Sequence, residues 1–170
     1  MKRLVLFFII LLLITSLSAY AIRVAIKPKS IHYHAGFHVY VDGKLQDFSA
    51  DTYMSLIPCG TVSKNPKIEQ LEKAHLHDNV GDVVHVHRKH VIWNDLFKNI
   101  NFPIDTTKPP EGYINSKKVA APLQQPITAY DSLVLFIGTH GKVDNYLQQA
   151  VTKQHVQEVE KHSEPCGTNN

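Results

Sequence analysis

Residues 31–43 read IHYHAGFHVYVDG, and their strict two-residue alternation decides the fold. Ile31, Tyr33, Ala35, Phe37, Val39 and Val41 fall on one side of an extended segment, and His32, His34, Gly36, His38 and Tyr40 on the other. Asp42-Gly43 is a strong two-residue hairpin signal, so Lys44 to Ala50 is expected to return alongside. In that register His38 faces Asp47, and His34 faces Asp51 if the pairing runs so far. A carboxylate on the histidine side is useful, because it can ligate a cation or orient an imidazole through its second nitrogen.

Further along, residues 74–87 read AHLHDNVGDVVHVH and are expected to form a second hairpin, turning around Asp78 to Asp82. His75 and His77 share a face, as do His85 and His87, and the turn register decides whether all four look the same way; an odd offset separates the pairs. Between the two hairpins, Thr52 to Ser63 is irregular, and Asn65-Pro66 opens a short helix reaching about Lys73. Beyond them, Trp93, Leu96, Phe97 and Ile100 recur at the spacing of an amphipathic helix. A Pro-rich loop follows, then a small hairpin over Tyr113 to Val119 turning at Asn115-Ser116. Leu133 to Ile137 is a continuous apolar run expected to be a buried central strand, and Asp144 caps a last helix running to about Lys161. The expected class is α+β: a small mixed sheet, β-grasp-like from residue 74 onward, with an added N-terminal β-hairpin and a C-terminal helix.

Histidine is the unusual residue, 11 of 170. Three HxH units occur: His32/His34, His75/His77 and His85/His87. On a strand the two rings of each unit point the same way, about 6–7 Å apart along the backbone. Neutral imidazole is a good ligand for transition metals, and a mononuclear site needs three or four such donors. Two units on neighbouring strands supply four, so the second hairpin is the first choice, with His38 and the first unit completing that site or forming another. His90 lies within reach, and Asp78 and Asp82 are candidate ligands or orienting carboxylates. A pH-sensing cluster is the intermediate alternative. His140, His155 and His162 stand alone and read as ordinary surface or capping residues. Met1 and Met54 are the only methionines, so a sulfur-ligated copper(I) site is disfavoured, and a nitrogen donor set suits copper(II) or zinc(II), with a slight lean to copper.

The segment from His75 to His87, with His32/His34, Asp42-Gly43-Lys44, Asp95-Leu96-Phe97 and the stretch Asp131 to Gly138, resembles a family of exported, histidine-rich bacterial and archaeal proteins. The resemblance spans most of residues 31–140 and implies export without implying an activity. A cupin is a poorer match: Gly81 precedes His85 by only four positions, and no Glu stands three or four residues after His87. A multicopper oxidase needs a cysteine ligand in a histidine-rich motif, a setting that neither Cys59 nor Cys166 has.

The ends of the chain set the compartment. Lys2 and Arg3 precede an apolar run from Leu4 to Ile14, and Ala19-Tyr20-Ala21 has the small-x-small form of a signal-peptidase site. Leu4 to Ile22 is also just long enough for an uncleaved membrane anchor. Residues 1–21 are thus expected to be a signal peptide or an anchor and residues 22–170 to form one extracytoplasmic domain, with Cys59 and Cys166 expected to pair in an oxidising compartment. With 44% hydrophobic and 19% charged residues the domain is globular rather than disordered, and a net charge of +3 without a basic stripe argues against nucleic acid. The expected function is extracytoplasmic copper or zinc capture, carriage or buffering. A metal-dependent hydrolase or oxidase, with Asp78, Asp82 or Glu72 as base, is one alternative, and an interaction module with a structural metal is another; the sequence singles out no protein partner.

Overall fold

The structure, a computed structural model, describes residues 8, 11–18, 20, 31–55, 57, 65–105 and 107–162. The chain divides into a unit of residues 1–30 and a unit of residues 31–170. In the first, residues 11–18 are helical; among the described residues no helix is long and apolar enough to cross a membrane. Cys59 and Cys166 lie outside the described residues, as does most of the leader, including Ala19 and Ala21.

The second unit is α+β. Its strands are β1 (Tyr33–Val41), β2 (Lys44–Leu45), β3 (Ala74–His75), β4 (Val83–Val86), β5 (Glu111–Ile114), β6 (Lys117–Val119) and β7 (Ser132–Ile137). Its helices are α1 (Pro66–Leu71), α2 (Trp93–Asn99), α3 (Val143–Leu147) and α4 (Lys153–His162). One mixed sheet runs β3-β4-β1-β7-β5-β6, with β2 paired to β1 alone. β1 and β7 are parallel and the other named pairs antiparallel.

Two expectations change. The first hairpin is not an addition to the sheet: β1 lies inside it, between β4 and β7. Its return strand pairs only Tyr40 with Leu45 and Val41 with Lys44, so His34 faces His85 of β4 rather than Asp51. A strand apolar on one side and rich in imidazole on the other is stable inside the sheet because both of its faces are covered. The last helix is also broken in two, and α3 starts after Lys142 rather than at an Asp144 cap. Elsewhere the turn and cap chemistry acts as read. The Asn65 side chain accepts from the Lys67 amide at 3.0 Å, and Asn115 and Ser116 turn the β5–β6 hairpin with φ of 51° and 63°.

The alternation of β1 separates two interiors. Ala35, Phe37 and Val39 face α2, whose Trp93, Leu96 and Phe97, with Ile100 just past its end, are buried against them. The Phe37 ring lies 6.4 Å from Trp93 and 6.1 Å from Phe97, centre to centre. Asp95 holds this layer in place: its carboxylate accepts from the Ile92 amide at the helix start, from Lys73 Nζ at 3.0 Å and from Gln70 Nε2 at 3.1 Å. On the opposite face α3 sets Tyr146 against Tyr40 and Phe136, and Val151 and Val156 at α4 close over Val83.

Gly36 makes that second closure possible, because a Cβ there would overlap the Val151 side chain. Gly36→Ala is therefore expected to destabilise the domain by about 1–3 kcal/mol through overpacking. A urea midpoint equal to that of the wild type would show that Val151 does not seat on β1.

Candidate metal centre

Two even registers assemble the site. β1 places His34 opposite His85, and β3 places His75 opposite the same His85. One row of imidazoles therefore crosses three strands, and since side chains two apart point alike, all three HxH units share a face. His85 is the hub. The His34 ring stands edge-on to it at 4.2 Å and the His77 ring edge-on at 5.1 Å, while His32 and His75 lie roughly parallel to it at 5.9 and 6.1 Å. His87 completes the cluster, stacked on His32 at 4.6 Å and on His75 at 5.1 Å.

Within this cluster His32, His34 and His85 each offer a ligand atom within 4.8 Å of the other two, close enough to hold a metal ion. His34 Nε2 and His85 Nδ1 are 3.1 Å apart. The rings are hidden from water: His34 and His85 are 1% exposed, His75 2% and His87 6%. Yet His32 Nε2, His85 Nε2 and His87 Nε2 are buried without a hydrogen-bond partner. Each such nitrogen costs about 1–3 kcal/mol when left unsatisfied, and a cation accepting their lone pairs would remove the penalty. At the far end of the row the His75 Nδ1–H donates to the Leu71 carbonyl at 2.8 Å, which fixes the tautomer and leaves Nε2 as the donor atom for a metal.

Electrostatics favour the ligating form. Burial is the main reason that His34 and His75 are pushed down to about 4 and His87 to about 3, with the other imidazoles adding to it; His85 and His32 are lowered for the same first reason. A neutral ring at pH 7 carries one unprotonated nitrogen, so protons do not compete with a metal.

A carboxylate enters from α4, and the sequence reading missed it. Glu160 Oε1 lies 3.7 Å from His34 Nδ1, and Oε2 accepts from the Tyr130 hydroxyl at 2.8 Å. The signal was present, since Glu160 follows the buried Val156 by one helical turn and so shares its sheet-facing side.

The expected acidic partners go elsewhere. Asp47 is exposed and accepts from the Ser49 amide at 2.8 Å. Asp82 lies 3.1 Å from His155 Nε2, so His155 is not a solitary surface residue. His38 stands with Asp82 and His155 rather than with the six-ring cluster; burial lowers its pKa, and the charge of Asp82 partly opposes this. Asp78, in the left-handed conformation with φ of 57°, is exposed and lines a surface groove of 460 Å³ with His155, Glu158 and His162. His90 is exposed on its own left-handed turn, and His140 packs against Phe136 at 4.3 Å. Glu72 is buried beside Arg88, 3.7 Å from its Nη1.

No family model, no curated protein and no solved structure matches this chain.

The imidazoles give the metal-free protein a defined pH dependence. Their pKa values fall on folding, so below the ordinary histidine value of about 6.5 the unfolded chain binds more protons than the folded one. Stability is therefore complete near neutrality and is lost as pH falls from about 6.5 toward about 4. Urea midpoints of metal-free protein at stepped pH should decline across that window, and a flat profile would show that the rings are not buried as neutral groups.

Proposed function

We propose that the protein is an extracytoplasmic binder of a transition metal, one that captures, carries or buffers copper or zinc. The observation that carries this reading is the convergence of His32, His34 and His85, with donor atoms within 4.8 Å of one another in a face where His32 Nε2, His85 Nε2 and His87 Nε2 are buried without a hydrogen-bond partner. The donor set is nitrogen, with one nearby carboxylate and no sulfur among the described residues of the cluster, and that chemistry suits copper(II) and zinc(II). Export rests on the sequence alone: Lys2 and Arg3, the apolar run after them and Ala19-Tyr20-Ala21, together with the resemblance to exported histidine-rich proteins.

Binding is favoured over turnover by the burial of the donors. A catalytic ion keeps an open position that a substrate can reach, whereas His34 and His85 are 1% exposed and α4 brings Glu160 against them.

Tag-free protein, titrated with copper(II) and zinc(II) and assayed by elemental analysis, should bind at least one equivalent tightly. The double variant His34→Ala/His85→Ala should lose that binding while its far-ultraviolet spectrum persists. Absence of stoichiometric uptake by the wild type would remove the proposal; retention by a folded double variant would move the site off this triad.

A further inference from the structure

The cluster has more donors than one ion needs, and they are arranged in two similar halves about His85. On the β1 side, the His32 and His34 rings are 4.6 Å apart and lie 5.9 and 4.2 Å from His85, the first tilted 27° and the second 79° to it. On the β3 side, the His75 and His77 rings are also 4.6 Å apart and lie 6.1 and 5.1 Å from His85, at 16° and 79°. Each HxH unit therefore presents to the central imidazole one ring nearly parallel and one nearly perpendicular. His85 has two ring nitrogens: Nδ1 lies 3.1 Å from His34 Nε2, and Nε2 is buried without a hydrogen-bond partner. His75 is already oriented as a ligand by its Nδ1–H bond to Leu71.

We infer that the face holds a pair of metal ions, the first bound by His32, His34 and His85 and the second by His75, His77 and His85, with the His85 imidazole linking them. The inference rests on the metal-binding reading above and extends it from one ion to two. The chemistry balances without redox change. A neutral imidazole carries one N–H; when both of its nitrogens ligate, that proton passes to solvent and the ring serves as an imidazolate. His87, stacked between His32 and His75, packs the side of the pair and stands as a spare donor to either ion. Three nitrogen donors per ion leave a coordination position on each for water or a carboxylate.

The test is a copper(II) titration of the wild-type chain followed by electron paramagnetic resonance. One equivalent should give an isolated copper signal. A second equivalent should lower the integrated intensity below that of the first, because two copper spins joined through one imidazolate couple antiferromagnetically. His75→Ala/His77→Ala should stop at one equivalent with its signal undiminished. Saturation of the wild type at one equivalent would overturn the pair and leave the single-ion reading standing, as would a second equivalent that doubles the signal, since its ion would lie remote from the first. Failure of the wild type to take up any copper or zinc would instead overturn the function proposed above. The wild-type measurement is decisive even if the double variant fails to fold.

Discussion

The site depends on register. Side chains on a strand alternate with a period of two, so β3, β4 and β1 can bring their imidazoles together only when both pairings are even. They are: His75, His85 and His34 stand in one row across the three strands. Displacing either edge by one residue would send a pair of rings into the interior lined by Trp93 and Phe97 and bring valines out in their place. The aromatic layer under α2 therefore does more than stabilise the domain. By accepting Ala35, Phe37 and Val39 of β1 with Val84 and Val86 of β4, it locks the pleat that aims the histidines the other way.

That opposite side is unusual for a buried face, because its filling is polar. Val83, Val151 and Val156 cover one part and the rings around Tyr40 and Phe136 another, with the imidazoles beside them. Proton binding is suppressed because the charged form of each ring would lose its hydration and face the neighbouring rings. Among the described residues hydrogen bonds join His75 to Leu71 and His34 to His85, while His32 Nε2, His85 Nε2 and His87 Nε2 are buried without a partner. Glu160 brings to His34 a charge of favourable sign for a cation, and the Tyr130 hydroxyl holds it from the outside.

Much of this was legible in the sequence, and the unread parts have identifiable reasons. The alternation of residues 31–41, the amphipathic repeat from Trp93 to Ile100, the apolar run of β7 and the Asn115-Ser116 turn are local patterns, and local patterns survive folding. The neighbour of β1 is not local. Asp42-Gly43 correctly announced a hairpin, but nothing in the chain marks that pairing ends after Leu45 and that β4, some forty residues later, takes the place beside His34. The common face of the three HxH units likewise waited on a turn offset that sequence leaves open. Glu160 is harder to read, because the acid that reaches His34 arrives on a helix from the far end of the chain rather than from beside a histidine in sequence. His155 reads as isolated for the same reason, though Asp82 lies beside it in space.

β1 carries two incompatible sets of side chains on one backbone, and this limits how the protein can change over evolutionary time. Residues can be exchanged one for another along the strand with only local consequences. Gaining or losing a single residue between His34 and Val39 would instead exchange aromatic and imidazole across the whole sheet in one event. Length variation among descendants of this chain should therefore collect in the irregular stretches, such as residues 46–50 and 78–82, and spare the strands between them.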